Sequence, residues 1–315
     1  MNKKYPNKKF DIHCHVTAFP DYCPPRPSNM VIGAKDRYLS LDEEIEMHDS
    51  LNVAMGVLLC GGSPERIWEI VQNEEAKWLA DQRPDRFVWF FNIDPRQGDF
   101  NTRTDFSHVF NHYKSLGARG LGEISATLPV DSPLYDNYWR QAAEFDLPVL
   151  LHVSPWLKGQ YGVFDQMGHP GFDRMLSKHK NLKIIGHSMA WWSEMGADLK
   201  FEEKNKYPKT KITEEGAVPK LMRKHENLYC DISAGSGMNA LMRDPEYAAK
   251  FIEEFSDRIM YGIDSSSKLC DFQYEFDEWL TKMLSDGMIS LENYKKITYK
   301  NAAKLLNVDE KIFEE

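Results

Sequence analysis

The stretch "LPVLLHVSPWLKGQYGVFDQMGHPGFDRMLSKHKNLKIIGH", residues 147–187, decides the fold. It opens on an apolar run of strand length, LPVLLH, crosses a loop, continues as the amphipathic segment GFDRMLSKH and returns to a second apolar run, LKIIGH. Strand, helix and strand in that order is the alternation of α/β proteins. Both runs end in a histidine, His152 and His187.

The same alternation extends in both directions. Strand candidates begin near Phe10, Val53, Phe87, Ala118, Leu147, Leu182, Leu228 and Ile259. Several helices between them carry start signals. Ser40 with Glu43 three residues on is a capping box for SLDEEIEMHDSL. Ser63 and Ser132, each followed by proline, read as N-caps with proline at the first helical position. Further helices are read from VPKLMRKH, PEYAAKFIEEF and FQYEFDEWLTKML. Eight strands each followed by a helix, with no composition break or Gly/Ser linker, predict one α/β domain over residues 1–315. The expected architecture is a (β/α)8 TIM barrel with a C-terminal helix at about 290–306. A doubly wound open sheet is the alternative, but no GxGxxG follows the first strand. The stretches GGS (61–63) and SAGSG (233–237) lack a nucleophile-elbow pattern and read as tight strand-to-helix loops.

Composition narrows the partners. The chain of 315 residues is 42% hydrophobic, and its 39 basic against 48 acidic residues give a net charge of −9, which disfavours nucleic acid and anionic membranes. No apolar run reaches membrane-spanning length, and the basic start MNKKYPNKKF is not followed by the apolar segment of a secretory signal. The expectation is a cytoplasmic protein acting on a small-molecule substrate, with no nucleic-acid or membrane partner and with homo-oligomer formation left open. Cys14, Cys23, Cys60, Cys230 and Cys270 are odd in number and form no CxxC pair, so they read as reduced thiols.

Function is read from the strand ends, because the C-terminal ends of barrel strands surround one active site. In FDIHCHV (Phe10–Val16), strand alternation puts His13 and His15 on one face with Asp11 and turns Ile12 and Cys14 away, which makes Cys14 a core residue. The fourth strand, ARGLGE, ends in Glu123, the fifth in His152, the sixth in His187 and the last, RIMYGID, in Asp264. Any one of these has an ordinary explanation as a polar strand end. Four histidines and two carboxylates, each closing an apolar run, form the donor pattern of a buried metal site.

FDIHCH, LLH, IIGH, YGID, the third-strand stretch DRFVWFFNIDP and the late segment NAAKLL together resemble the amidohydrolase superfamily, in particular the amidohydrolase-2 group of metal-dependent hydrolases. The resemblance spans nearly the whole chain. It implies that His13, His15, His152 and Asp264 hold a divalent metal, zinc being the first expectation, and that His187 binds a second ion or works beside the first. Glu123 in LGEI is similar to a carboxylate of TatD-type hydrolases, so one ion or two sharing Glu123 are both allowed. Its other reading is a partner to a ligand or to Arg119. The chemistry implied is hydrolysis of an ester, lactone or amide by metal-activated water, with Asp264 as the proton-transfer base and His187 stabilising developing charge.

Substrate choice belongs to the strand-to-helix loops. The long ones include the proline-rich residues 17–38, a candidate lid, and two loops that bring Trp156, Tyr161, Trp191 and Trp192 as aromatic walls. Arg119 is a candidate substrate contact. His48, His112, His179 and His225 read as surface residues, and His108 and His169 have no assigned role. Two rival functions stay open: a metal-dependent non-oxidative decarboxylase, with Arg26, Arg119 or Lys158 holding the carboxylate, and a barrel that binds a metal or ligand without catalysis. A TatD-type nuclease is disfavoured by the negative charge.

Overall fold

The computed structural model describes residues 5–24, 37–66, 71–98, 100–158, 160–265 and 272–314. The tip of the candidate lid (25–36) with Arg26, and Cys270, lie outside the described residues. The eight barrel strands are β1 (Lys9–Cys14), β2 (Val53–Leu58), β3 (Phe87–Trp89), β4 (Leu121–Ile124), β5 (Val149–Ser154), β6 (Ile184–His187), β7 (Leu228–Asp231) and β8 (Ile259–Met260). Neighbours pair in parallel, β1 to β3 in one ladder and β4 to β8 in another. Two seams close the ring. At one, Phe91 bridges Leu121 and the Gly122 N–H donates to the Phe91 carbonyl at 2.9 Å. At the other, Cys14 bridges Ser265, and the His15 N–H donates to the Ser265 carbonyl at 2.9 Å. The result is a single-domain (β/α)8 barrel.

The helices on the outside are α1 (Leu41–Ser50), α2 (Asn73–Gln82), α3 (Ser107–Ser115), α4 (Pro133–Glu144), α5 (Pro170–Lys178), α6 (Ala217–Lys224), α7 (Ala234–Met242), α8 (Pro245–Phe255) and α9 (Phe272–Ser285). The capping box of α1 is formed, and Ser132 caps α4 by accepting from the Tyr135 N–H. A helix starting at Ser63 does not form. Residues 63–66 are engaged elsewhere, Glu65 pairing with Arg96 at 2.6 Å and Arg66 with Glu123 at 2.5 Å; residues 67–70 lie outside the described residues, and the next described helix starts at Asn73. A cap worth about 1 kcal/mol loses to two charge-assisted contacts. In the SAGSG stretch only Ser233 stays in the turn, and α7 starts at Ala234. Gly237 is required there, since a Cβ on it would lie 2.2 Å from the Ile232 carbonyl oxygen.

Two apolar layers hold the barrel. Phe10, Ile12, Val57, Phe90, Leu150, Ile185 and Met260 pack together in one, while Leu58, Trp139, Leu151, Ile184, Trp191 and Trp192 pack between strands and helices. Each such side chain, fully buried, contributes about 1.5–3 kcal/mol of transfer free energy. Residues on both faces of these strands are buried, which is why the runs read as continuous apolar segments in the sequence.

The alternation expected for β1 is broken at the functional end. Asp11 pairs with Gly56 and Cys14 with Leu58, so three steps on β1 oppose two on β2. This bulge turns Asp11 to the side of Cys14, while His13 and His15 remain together on the other side. Cys14 is buried away from the two histidines, as the alternation required, but Asp11 does not share their face. No helix among the described residues is long and apolar enough to cross a membrane.

Candidate metal centre

The six strand-end residues converge. His13 and His15 leave β1 with their Nε2 atoms 3.0 Å apart, the spacing of two donors on one small cation. Asp264, just past β8, is placed by its own N–H donating to the His13 carbonyl at 2.9 Å, in a left-handed backbone conformation with φ 59°. Its Oδ1 lies 3.4 Å from His13 Nε2 and 3.5 Å from His15 Nε2, and its Oδ2 lies 3.6 Å from His187 Nε2. Glu123 at the end of β4 faces the same point, 3.6 Å from His15 Nε2 and 3.9 Å from both His13 Nε2 and His187 Nε2. His152 on β5 sits 2.8 Å from Glu123 Oε1 through Nδ1. The side chains are nearly closed from solvent, except for Asp264, whose side chain is 24% exposed, and His152 at 21%.

A seventh residue organises the set. Asp231, the last residue of β7, is fully buried, and its Oδ2 accepts from His13 Nδ1 at 2.7 Å, from His187 Nδ1 at 3.1 Å and from the Ser233 hydroxyl at 2.7 Å. Anchoring Nδ1 of both rings leaves both Nε2 atoms for the centre, the role outer carboxylates take around metal-bound histidines. Gly262 makes room for it, since a Cβ there would lie 2.7 Å from Asp231 Oδ1 and 3.3 Å from His13 Cβ. The rule that found the other six, a carboxylate or imidazole closing an apolar strand, applies equally to LYCD and would have found Asp231.

Electrostatics separates the two β1 histidines. Burial, with the neighbouring charge of His13, pushes the His15 pKa down to about 3, so this imidazole stays neutral, the form that binds metals. Burial also works against charge on His13, but Asp264 and the Asp231 hydrogen bond outweigh it and lift its pKa to about 10. Asp231 is held below the usual carboxylate range: burial would raise it, and the bonds to His13 and His187 overcome that. Glu123 is held well below its usual value in the same way, against burial, by Arg66 and then His152. Burial lowers His152 as well. Imidazoles anchored through Nδ1 and ionised carboxylates make a donor set that fits a divalent cation, and three overlapping triads, His13–His15–Glu123, His13–His187–Asp264 and Glu123–His152–His187, each bring their donors within 4.8 Å.

The other candidates are placed differently. The partner of Glu123 is Arg66, whose guanidinium also lies 4.8 Å from the Tyr161 ring. Arg119 is exposed and precedes β4, at the opposite end of the barrel from the centre. Trp191 and Trp192 are in the core, at most 1% exposed: Trp191 packs on His169 and Phe172, and Trp192 donates to the Asp231 carbonyl at 2.8 Å. The single helical turn Met189–Trp192 right after β6 pulls both rings inward. Trp156 is half-buried and meets Phe201 edge to face. Tyr161 packs against His152 with ring centroids 4.5 Å apart. Tyr207, unassigned from the sequence, lies near Asp264: burial and then the Asp264 charge raise its phenol pKa. A cavity of about 750 Å3 is lined by Ser63, Arg66, Asn92, Arg96, Phe106 and Tyr113 among others; none of the six strand-end residues lines it, and Arg66, the partner of Glu123, stands between it and the centre. Among the histidines read as surface residues, His48 is fully buried and His225 nearly so.

A parallel barrel whose strand ends deliver this donor set is a metal-dependent enzyme of the hydrolase type. The amidohydrolase family model matches residues 10–308, and the chain belongs to that family. No curated protein matches the sequence. Among solved structures, an uncharacterized TIM-barrel protein of Bordetella bronchiseptica is 16% identical with a TM-score of 0.63, covering 95% of this chain and 98% of its own. A 5-carboxyvanillate decarboxylase of Sphingomonas paucimobilis is 15% identical with a TM-score of 0.57, covering 96% and 99%. A probable 2-pyrone-4,6-dicarboxylic acid hydrolase of Acinetobacter baumannii, solved with citric acid, is 14% identical with a TM-score of 0.55, covering 95% and 99%. At these identities the likeness concerns the fold.

Proposed function

We propose that the protein hydrolyses a small organic ester, lactone or amide at a single zinc ion held by His13, His15, His152 and Asp264, with His187 beside it. The observation that carries this reading is the meeting of the β1, β4, β5, β6 and β8 ends in three overlapping donor triads, with Asp231 fixing two rings behind them. A divalent ion held by these residues would supply a bound water with its pKa lowered toward ~7 and a positive charge for the oxygen under attack. The protein's own groups do the rest. Asp264, the most exposed carboxylate of the set, accepts the proton of the attacking water and passes it to the leaving group. His187, steered by Asp231 through Nδ1, turns Nε2 toward the charge that develops on the substrate oxygen. Glu123 orients His152, and the Arg66 charge 2.5 Å from its Oε2 disfavours a second dication on the same carboxylate, which supports one ion and not two. Tyr161 and Tyr207 wall the mouth, with Trp156 further out on the rim.

Non-oxidative decarboxylation is the second reading. It needs a cation to hold the substrate carboxylate. Of the three basic residues considered from the sequence, Lys158 is exposed, Arg119 faces the other end and Arg26 lies outside the described residues. Arg66 is next to the centre, but its charge is matched by Glu123. Among the described residues considered, this favours the hydrolase. The test is turnover of a panel of lactones, aryl esters, amides and benzoate-type acids by protein of measured zinc content. Water-dependent cleavage of a lactone, ester or amide supports the reading, whereas release of carbon dioxide from an acid with no hydrolysis on the panel selects the lyase.

A further inference from the structure

A second cluster of ligand-type side chains lies on the other side of β1, between that strand and α1. It consists of Asp11 and Cys14 from the bulged end of β1 and Glu44 and His48, four residues apart on one face of α1. All four are 0% exposed, and their donor atoms lie within 4.8 Å of one another. His48 Nε2 is 2.9 Å from Glu44 Oε1, 3.2 Å from Asp11 Oδ2 and 3.7 Å from Cys14 Sγ, and Cys14 Sγ is 3.2 Å from Asp11 Oδ2.

We propose that Asp11, Cys14, Glu44 and His48 form a closed structural zinc site, separate from the catalytic centre. Zinc bond lengths place tetrahedral ligands about 3.3 Å apart for nitrogen and oxygen pairs and about 3.5 Å apart where sulfur takes part, and the separations above, from 2.9 to 3.7 Å, lie around those values. One thiolate, one imidazole and two carboxylate oxygens complete four-coordination without leaving an open position, the mark of a structural site. Protons serve the cluster poorly. A hydrogen on His48 Nε2 points at one of three acceptors, and Glu44 Oε2 is buried without a hydrogen-bond partner. A divalent ion joins all four ligands at once, where a proton on Nε2 joins His48 to one of them.

The surroundings are shaped for the cluster. A Cβ at Gly56 on β2 would lie 2.7 Å from His48 Cε1 and 2.8 Å from Cys14 Sγ, so the strand is bare where the cluster needs space. The Ser265 hydroxyl donates to Glu44 Oε1 at 2.7 Å, and Asp11 Oδ1 accepts from the His13 and Ile263 N–H groups at 2.9 Å each, so both carboxylates are held from behind. The ion ties α1 to the strand that carries His13 and His15, and it stiffens that strand without touching substrate.

The test uses full-length protein produced in zinc-containing medium, and again with cobalt in place of zinc. The expected results are close to one zinc per chain remaining in the His13→Ala/His15→Ala double variant, and a thiolate-to-cobalt charge-transfer band present in both the parent and that variant. The band should vanish in Cys14→Ala, and the metal content of Glu44→Gln should fall by close to one ion per chain relative to the parent. A parent protein replete in cobalt that shows no thiolate band overturns the proposal, as does a double variant free of metal or a band that persists in Cys14→Ala. The parent and the double variant decide it even where Cys14→Ala does not fold. A failure of the hydrolase reading leaves all of these readouts unchanged.

Discussion

Asp264 and Asp231 are both buried-site aspartates at barrel strand ends, and they are expected to fail in different ways. Asp264 reaches solvent and faces three Nε2 atoms within 3.6 Å, so it handles the proton. Asparagine there keeps one oxygen but accepts no proton at working pH. The Asp264→Asn variant should lose about two or more orders of magnitude in kcat with metal largely retained, measured by steady-state kinetics beside elemental analysis. Asp231 accepts from the Nδ1 atoms of His13 and His187 and from the Ser233 hydroxyl and N–H, with no contact to an Nε2 atom, and Asp231→Asn should instead weaken metal affinity by about 10–100-fold, read by competition with a chromophoric chelator. Equal effects of the two changes on kcat at saturating metal would remove the distinction. Most of the centre was legible at this scale because imidazoles and carboxylates at the ends of apolar runs are conspicuous. Arg66 and Tyr207 were not, since they come from loops whose path only the tertiary structure defines.

Among the elements, β1 shows where local reading stops. Its length and its paired histidines follow from FDIHCHV, but the bulge between Asp11 and Cys14 depends on pairing with β2 and on the approach of residues 263–265 from the far seam. A period-two rule has no access to either. Helix starts divide on the same line. Ser40 and Ser132 cap helices that nothing else competes for, whereas Ser63 lies where Glu65 and Arg66 are drawn into ion pairs across the barrel mouth. The capping box of α1 provides a measurable case. Ser40 Oγ accepts from the Glu43 N–H at 3.3 Å, and Glu43 Oε2 accepts from the Ser40 N–H at 2.9 Å. Ser40→Ala should cost about 1 kcal/mol, readable as a lower denaturation midpoint with an unchanged m-value. No change in the midpoint would show that α1 is held by its packing alone.

For the molecule as a whole, eight alternations of strand and helix were enough to reach the barrel, because parallel strands buried on both faces leave long apolar runs and the crossovers leave amphipathic ones. The loops were less legible. The two tryptophans of the sixth loop turn inward, and a whole-molecule property follows from what they cover. His169 lies against Trp191 in the core, and burial followed by the nearby Lys204 charge pushes its pKa down to about 3. An unfolded histidine titrates near ~6.5, so between these values the unfolded chain binds the extra proton and stability rises with pH. The contribution is fully present above the unfolded value and is lost as pH falls toward 3. His169→Asn, which suits the left-handed backbone at φ 50°, should therefore show a shallower fall of unfolding free energy between pH 6.5 and 4 than the parent. Parallel pH profiles of the two proteins would contradict the assignment.

The central claim is that strand ends from around one barrel hold a catalytic metal through His13 and His15. The measurement that tests it most directly compares metal content and turnover of the parent with those of the His13→Ala/His15→Ala variant, both checked by circular dichroism. The account predicts a folded variant that has lost close to one metal ion per chain relative to the parent and all detectable turnover, since these ligands lie at the barrel mouth and not in its packed layers. A folded variant with the parent's metal content and turnover would contradict it.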